Sequence, residues 1–217
     1  MLHLHEVIDI VGEGARPYME HTITFDTETA AARGLHLFGT WQVVGMTGRW
    51  PQVVNIWEFD DGWEGWLRVL TAANVKRADN PALAQWWQEQ YARRTGGFDR
   101  MLESVGDPVM QTGEIFVHEL SEVKPGAGPD YLNAVHKEWA PVAAEHGVHL
   151  VAAYEVLFTD IEVVTVWAAD ARAHAGMQTA GDERIAAWRA MASQWLTRWR
   201  EELMVPCPGG PGSPVAT

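Results

Sequence analysis

The sequence predicts an α+β fold in which two tandem copies of one unit close a single barrel. The first observation is an internal repeat: residues 5–43 recur at 118–156 with a constant offset of 113. The second is that, after a three-residue deletion, an offset of 110 aligns Trp57 with Trp167. The third is that each copy alternates strand-like and helix-like patterns. Two copies of roughly a hundred residues are too few and too long for a solenoid, so we expect a duplicated domain whose halves pack together.

The first copy opens with a strand over residues 2–11, where aliphatic and polar residues alternate with the period of a half-buried strand. Pro17 can open the helix that follows, because proline is tolerated in the first turn. Gly34 ends this helix and leads into a strand over residues 35–44. A turn then returns the chain through a strand over residues 52–59.

The first copy closes with helices. Asp60 supplies an N-cap and Gly62 a turn before a long helical region. Pro81 restarts a helix that is predicted to run towards Ser104. The second copy repeats this order with a strand at 114–123, a helix near 129–146, strands at 148–158 and 161–169, and helices near 171–179 and 183–203.

A β-α-β-β-α unit with a short closing strand is the ferredoxin-like arrangement. Its helices cover one face of an antiparallel sheet and leave the other face in need of a partner. The bare faces of the two repeats, 1–112 and 113–204, are therefore expected to meet in a closed or nearly closed eight-stranded barrel. Residues 205–217 are rich in Pro and Gly and are predicted to form a disordered tail.

Composition narrows the set of partners. The net charge of −13 argues against nucleic acid, because binding to a phosphate backbone needs clustered Lys and Arg. The basic residues are scattered, and no apolar run approaches the ~20 residues that span a bilayer, so no membrane partner is predicted. The single cysteine, Cys207, rules out an internal disulfide and fits a reducing cytoplasm. Twelve tryptophans suit an aromatic pocket for a small apolar or aromatic molecule.

Residues 34–41 (GLHLFGTW) and 52–60 (QVVNIWEFD) resemble the signature of the NIPSNAP family, within the dimeric α+β barrel superfamily. The opening strand and turn of the same family resemble residues 119–120 (EL) followed by residues 123–126 (VKPG) and Tyr131. Ile8 and Ser121, however, stand where the family often has a basic residue. The resemblance implies the barrel fold over nearly all of the two repeats. The superfamily includes cofactor-free monooxygenases, isomerases and cyclases, and some haem proteins. In most of these proteins the ligand lies between the sheet and its helices or inside the barrel.

Strand alternation separates an aliphatic face from a mixed one. We expect the aliphatic face to lie under the helices and the mixed face to line the barrel interior. The mixed set comprises His5, His36, Asn55 and Trp57 with their counterparts His118, His149, Thr165 and Trp167. Four histidines converging with tryptophan can supply acid/base groups that titrate near neutrality. Alternatively, they only satisfy hydrogen bonds where the sheets meet.

Glu6 and Glu119 occupy corresponding positions on the aliphatic face, where an unpaired carboxylate is costly. One interpretation is a general base whose pKa is raised by burial. The other is a structural carboxylate that accepts hydrogen bonds from backbone N–H groups or an Arg in both copies.

Differences between the copies point to a functional half. Tyr154 stands where the first copy has Trp41, so His118, His149 and Tyr154 are predicted as an acid/base set for enolisation or cyclisation. No metal site is predicted, because the two histidines of His3-x-His5 have no third ligand nearby. No cofactor is predicted either, although His174 is a candidate axial ligand if the chain is a haem protein.

Three functions remain open. The first is a cofactor-independent isomerase, cyclase or monooxygenase-like enzyme that acts on an apolar or aromatic substrate. The second is a binding or interaction module without catalysis, and the third is a haem protein. Because the duplication closes the barrel internally, the chain is expected to be a monomer, or a homodimer through Trp-rich helix faces.

Overall fold

A computed structural model of the protein describes residues 1–75 and 79–215. In its described residues, the first half contains four strands and three α-helices, two of which continue through π-helical turns at Asp26–Ala30 and Thr71–Val75. Its elements are β1 (Leu2–Ile10), α1 (Ala15–Phe25), β2 (Leu35–Val43), β3 (Gln52–Phe59), α2 (Trp63–Leu70), α3 (Pro81–Tyr91) and β4 (Arg94–Ser104).

The second half has the same order of elements, except that its first helix is split by a π-helical turn at Val135–Trp139. Its elements are β5 (Ile115–Val123), α4 (Gly128–Ala134), α5 (Ala140–Glu145), β6 (Val148–Val156), β7 (Glu162–Ala169), α6 (Ala171–Thr179), α7 (Glu183–Ala192) and β8 (Leu196–Pro206). Trp57 on β3 and Trp167 on β7 occupy equivalent strands, as the repeat predicts. Among the described residues, no helix is both long and apolar enough to cross a bilayer.

The eight strands form a closed barrel in the order β1-β3-β2-β8-β5-β7-β6-β4. All neighbouring strands are antiparallel. Two seams join the halves, where β2 pairs with β8 and β4 pairs with β6. This arrangement confirms the predicted fold of two ferredoxin-like repeats closed into one α+β barrel.

The closing strands correct the prediction that helices run to Ser104 and to residue 203. The helices end at Tyr91 and Ala192, and the eleven-residue strands β4 and β8 follow. β4 pairs with β1 through residues 94–103, and β8 pairs with β5 through residues 196–204. Residues 196–204 are rich in Arg, Glu, Leu and Met, which favour helices. Pairing with a neighbouring strand outweighs this weak local preference.

Matching β-bulges interrupt β2 at Leu37/Gly39 and β6 at Leu150/Ala152. A bulge inserts one residue into a strand and so reverses the face to which later side chains point. Leu37 consequently packs under the helices, whereas Trp41 packs inside the barrel. The Trp41 ring covers Gly39 so closely that a Cβ at that position would lie 1.9 Å from the indole.

The predicted assignment of faces is wrong for β3 and β7. Val54 and Ile56 fill the barrel interior, while Asn55 and Trp57 lie under the helices together with Glu6. The reason is the register, because Glu6 is directly opposite Asn55, and opposed residues on antiparallel strands share a face. The corresponding residues of β7 follow the same pattern.

The buried side chains of the molecule form three layers, one inside the barrel and one under the helices of each half. Each aliphatic side chain buried in these layers stabilises the fold by about 1.5–3 kcal/mol relative to an exposed one. The barrel interior is filled from both halves by Val7, Trp41, Val54, Ile56, Leu102, Phe116, Tyr154, Val164, Val166 and Met204. Separate cores lie between the sheet and the helices of each half.

The end of the chain differs from the predicted disordered tail. β8 extends to Pro206, which pairs with Trp41, and Cys207 is fully buried beside Ile8 and Tyr18. Turns over residues 208–213 return the chain against the barrel, where the Gly210 N–H bonds to the carbonyl of Cys207. Burial of the last strand and of Cys207 explains why this Pro- and Gly-rich segment packs on the barrel.

Candidate functional site

A cavity of about 330 Å³ lies between the sheet and the helices of the second half. We call it the helix-side cavity. Strands β5, β7 and β8 form its floor, and helices α4, α6 and α7 contribute to its walls. Its aromatic lining consists of Tyr131, Trp139, Trp167, Trp188 and Trp199. Its polar lining residues are Glu119, His174, Gln178, Arg189, Ser193, Thr197, Arg198 and Glu201. A cavity of this size with a mainly apolar surface is typical of a small-molecule site.

Helical spacing explains how α7 closes the cavity. Ile185, Trp188 and Ala192 are spaced three and four residues apart, so they share one face of the helix and turn it towards the sheet. The Trp188 ring stacks on Trp139, with ring centroids 5.8 Å apart and planes inclined by 5°. The two rings form a flat aromatic wall.

Glu119 places a carboxylate in this aromatic surrounding. Its Oε2 accepts hydrogen bonds from the Thr165 hydroxyl and from Trp167 Nε1, the latter at 2.8 Å. Its Oε1 accepts a hydrogen bond from Trp199 Nε1 at 3.2 Å. Burial raises the pKa of Glu119, the three hydrogen bonds oppose that rise, and the charge of Glu201 adds to it. The carboxylate is therefore held in place while its proton affinity is increased.

His174 supplies a second polar group on the cavity wall. It lies on α6 and is 8% exposed. Its Nε2 is 3.6 Å from Glu201 Oε1 and 3.4 Å from the Gln178 amide nitrogen. Glu201 is directly opposite Glu119 in the pairing of β5 with β8. An imidazole and two carboxylates thus converge at one end of the aromatic cavity.

The first half has a corresponding carboxylate with different neighbours. Glu6 accepts hydrogen bonds from Asn55 at 3.1 Å and from Trp57 Nε1 at 2.7 Å. Opposite it, Asp99 has its pKa raised to about 6 by burial and by the charge of Glu6. Gly97 stands where the second half has Trp199, so this carboxylate lacks the third indole donor.

A second polar cluster lies inside the barrel. The rings of His5 and His118 are 5.0 Å apart, and both side chains are fully buried. His118 Nδ1 is 3.0 Å from Glu202 Oε1, whereas His118 Nε2 has no partner among the described residues. Burial, together with the nearby His118 and Arg100, holds the pKa of His5 well below its usual range.

The predicted catalytic set is not brought together. His118 and Tyr154 both lie inside the barrel, but His149 is exposed at the end of β6. Trp167, expected on the same face as His118, lies on the opposite side of the sheet. Tyr154 is fully buried, and burial raises the pKa of its phenol.

The other predicted binding residues are dispersed as well. His36 is exposed, with its Nε2 3.0 Å from Asp60 Oδ2, and His5 lies in the barrel. Glu6 and Glu119 are partly buried carboxylates with hydrogen-bond partners in both copies, as the structural interpretation requires. Their donors are side-chain groups of Trp, Thr and Asn rather than backbone N–H groups or an Arg.

Sequence reasoning missed Trp188, Trp199 and Glu201, and it identified His174 only as a candidate haem ligand. The sequence does carry a signal for His174 at this site, because the offset of 110 aligns it with Glu64, so the two copies differ at this position. Glu201 and Trp199 were hidden by the assignment of their strand to a helix. A helix would not have placed Glu201 opposite Glu119.

The haem alternative finds little support in the surroundings of His174. Its Nε2 faces Glu201 and Gln178, so this nitrogen has protein partners rather than an open approach for iron. No group of three or more His, Cys, Asp or Glu residues in the described part of the chain is arranged to hold a metal ion.

Comparison with solved structures places the fold among α+β barrels. A proposed monooxygenase from Fusobacterium nucleatum matches with a TM-score of 0.65 and 9% identity, over 95% of this chain and 92% of that one. A proposed monooxygenase from Lactobacillus acidophilus matches with a TM-score of 0.62 and 13% identity, over 94% and 92%. An anthrone oxidase-like protein matches with a TM-score of 0.68 and 12% identity, over 94% and 90%. At these identities, the likeness shows a shared fold.

The matches also include a NIPSNAP domain protein from Burkholderia xenovorans, with a TM-score of 0.37 and 18% identity over 42% of this chain and 93% of that one. No protein-family model and no curated protein matches the sequence. The narrower resemblance to NIPSNAP proteins therefore rests on the signature residues in the two repeats.

Proposed function

We propose that the helix-side cavity binds a small aromatic molecule and carries out cofactor-independent acid/base chemistry on it. The observation that carries this proposal is Glu119, a partly buried carboxylate with a raised pKa in a cavity whose other walls are mainly aromatic and aliphatic. A planar aromatic ligand fits beside the flat wall formed by Trp139 and Trp188. Such a ligand would bring a weakly acidic C–H or O–H group to the carboxylate.

The chemistry follows from the surroundings of the carboxylate. A carboxyl group with a raised pKa is a stronger base when ionised, which favours proton abstraction near neutral pH. The indole donors Trp167 and Trp199 fix its orientation, so little reorganisation accompanies proton transfer. His174, next to Glu201, is positioned to return a proton elsewhere on the ligand. Isomerisation, cyclisation and cofactor-free oxygenation can all begin with such a proton abstraction.

One of the structurally similar proteins suggests a probe molecule for this chemistry. It is described as anthrone oxidase-like, and anthrone is a flat tricyclic ketone whose methylene C–H groups are weakly acidic. The abstraction step needs no oxidant, because a base removes a methylene proton and a proton from solvent replaces it. Exchange of that methylene with deuterated water therefore reports acid/base chemistry alone.

The test measures deuterium incorporation into anthrone by NMR, with wild-type protein and two matched variants. We expect wild-type protein to exceed the buffer rate. Glu119→Gln should lower the protein-dependent rate by roughly a hundredfold, the size of a typical general-base contribution. Glu6→Gln removes the equivalent carboxylate of the first half and should keep the rate. Equal rates for wild type and Glu119→Gln, or an equal loss in both variants, would contradict the proposal.

A binding module without catalysis is the second candidate, and one observation favours it. Glu6 and Glu119 each accept a hydrogen bond from an indole in both halves, so the shared fold alone accounts for a carboxylate at these positions. In that case, anthrone would bind to the protein without any exchange above the buffer rate. Isothermal titration beside the exchange assay separates the two functions.

A further inference from the structure

A second cavity, of about 380 Å³, opens at one mouth of the barrel. We call it the barrel-mouth cavity. The lining residues Val7, Leu120 and Val164 belong to the barrel interior, so this cavity and the helix-side cavity lie on opposite faces of the sheet, although Arg198 lines both. Four guanidinium groups surround it, those of Arg49, Arg100, Arg198 and Arg200. This concentration of arginine is unexpected in a chain whose net charge is −13.

The carboxylates at this mouth are already engaged. Arg49 pairs with Asp9 at 2.9 Å, and Arg198 pairs with Glu122 at 3.4 Å. Arg100 holds Glu162 through two nitrogens, each 3.3 Å from a carboxylate oxygen. Deeper in the barrel, Glu202 is bound to His118. The acidic groups therefore have partners before any ligand arrives.

The groups without partners are nitrogen atoms. Within the described part of the chain, the Arg200 guanidinium forms no ion pair or hydrogen bond, and Arg100 Nη1 is buried without a partner. Both ring nitrogens of His5 and the Nε2 of His118 are also unpartnered, and these two imidazoles are fully buried. His5 lies two residues before the wall residue Val7 on the same face of β1, and His118 lies two residues before the wall residue Leu120 on the same face of β5. The two imidazoles therefore lie deeper in the barrel than the cavity walls.

The unpaired donors at this mouth indicate which kind of ligand fits it. A guanidinium has five N–H donors and no acceptor, so the unpaired N–H groups of Arg100 and Arg200 require a hydrogen-bond acceptor. A carboxylate matches the planar geometry of these groups best. Val7, Phe98, Leu120 and Val164 supply apolar walls for the remainder of the molecule. The geometry points to a binding site at the barrel mouth for a small carboxylic acid with an apolar body, held through Arg100 and Arg200. This site is additional to the helix-side cavity and does not depend on its function.

The test uses benzoate as the probe and isothermal titration with the full chain. Benzoate should bind saturably, and benzamide, which has the same shape without the charge, should bind roughly tenfold more weakly. Arg200→Gln should weaken benzoate binding by at least about tenfold. This side chain is exposed and has no hydrogen-bond or ion-pair partner among the described residues, so the fold should persist. Arg100→Gln should weaken binding to a similar degree, with circular dichroism confirming that each variant is folded.

Two control variants locate the binding. Arg16→Gln removes an exposed arginine of α1, and Glu119→Gln alters only the helix-side cavity, so neither should change the affinity for benzoate. Absence of saturable binding up to about 20 mM benzoate would overturn the proposal. An affinity unchanged in Arg200→Gln would overturn it as well, and so would a loss of binding in Glu119→Gln.

Discussion

His3 is a residue whose chemistry is set mainly by burial. It lies fully buried in the barrel, 4.9 Å from the Tyr154 ring, and its ring nitrogens have no side-chain partner among the described residues. Burial, with a smaller contribution from the charge of the N-terminus, lowers its pKa from 6.5 to about 4. The second copy carries Phe116 at the corresponding position, so a phenyl ring is known to fit an equivalent place in this barrel.

The lowered pKa predicts a pH-dependent stability. Between pH 6.5 and 4, His3 takes up a proton in the unfolded chain but not in the folded one, so its contribution to stability falls as the pH falls. His3→Phe removes this loss and should become more stable than wild type on acidification, with a difference that approaches about 3 kcal/mol at pH 4.

Urea unfolding of both proteins at several pH values measures this difference. Raised carboxyl pKa values, such as that of Asp99, affect both proteins equally and cancel. His149→Phe serves as a control for the loss of an exposed imidazole. A stability difference between His3→Phe and wild type that stays constant from pH 7 to about 4 would show that His3 is not the responsible group.

The polar residues show which parts of a site can be predicted from sequence. Alternation placed His5 and His118 inside the barrel, because β1 and β5 have no bulge between these residues and the strand start. It could not place Asn55 and Trp57, because the face of a strand depends on its register with a neighbour. Trp188 and Trp199 required the positions of α7 and β8, which are fixed only by tertiary packing.

At the scale of the elements, the bulge in β2 has a specific steric requirement. Gly39→Ala would place a Cβ 1.9 Å from the Trp41 ring, so the ring or the strand must move. Overpacking of this kind should destabilise the protein by about 1–3 kcal/mol, measured by urea unfolding. The corresponding bulge in β6 carries Ala152 next to Tyr154. The double variant Gly39→Ala/Trp41→Tyr copies that pair and should recover part of the loss.

Two outcomes would count against this account of the bulge. One is a Gly39→Ala protein as stable as wild type, which would mean that the indole moves without cost. The other is a double variant no more stable than the single one, which would place the steric conflict with a neighbour other than Trp41.

The closing strands β4 and β8 are elements that local sequence patterns do not predict. β4 begins with polar residues and Gly96–Gly97, and β8 begins with alternating Thr, Arg and Trp, so neither opens with the aliphatic alternation of a half-buried strand. Both become strands because β1 and β5 offer free edges that need hydrogen-bonding partners. Such pairing is a property of the whole barrel, and a local window of sequence does not contain it.

At the scale of the whole molecule, duplication within one chain allows the two halves to diverge. In a barrel made from two identical chains, every change at one site appears at its symmetry mate. Here Trp199 replaces Gly97 and His174 replaces Glu64 in the second half only. Each half therefore carries an equivalent carboxylate, but only Glu119 of the second half lies in an aromatic cavity with an imidazole. Glu6 of the first half has a different set of neighbours.

The most direct test of this asymmetry follows the indole N–H signals by NMR during a titration with anthrone. Trp167 and Trp199 donate to Glu119 at the helix-side cavity, and Trp57 donates in the same way to Glu6 in the first half. The three signals can be assigned from single Trp→Phe variants. We predict that anthrone shifts the signals of Trp167 and Trp199 and leaves that of Trp57 in place. Equal shifts in both halves, or a shift of Trp57 alone, would contradict the assignment of the ligand site to the second half.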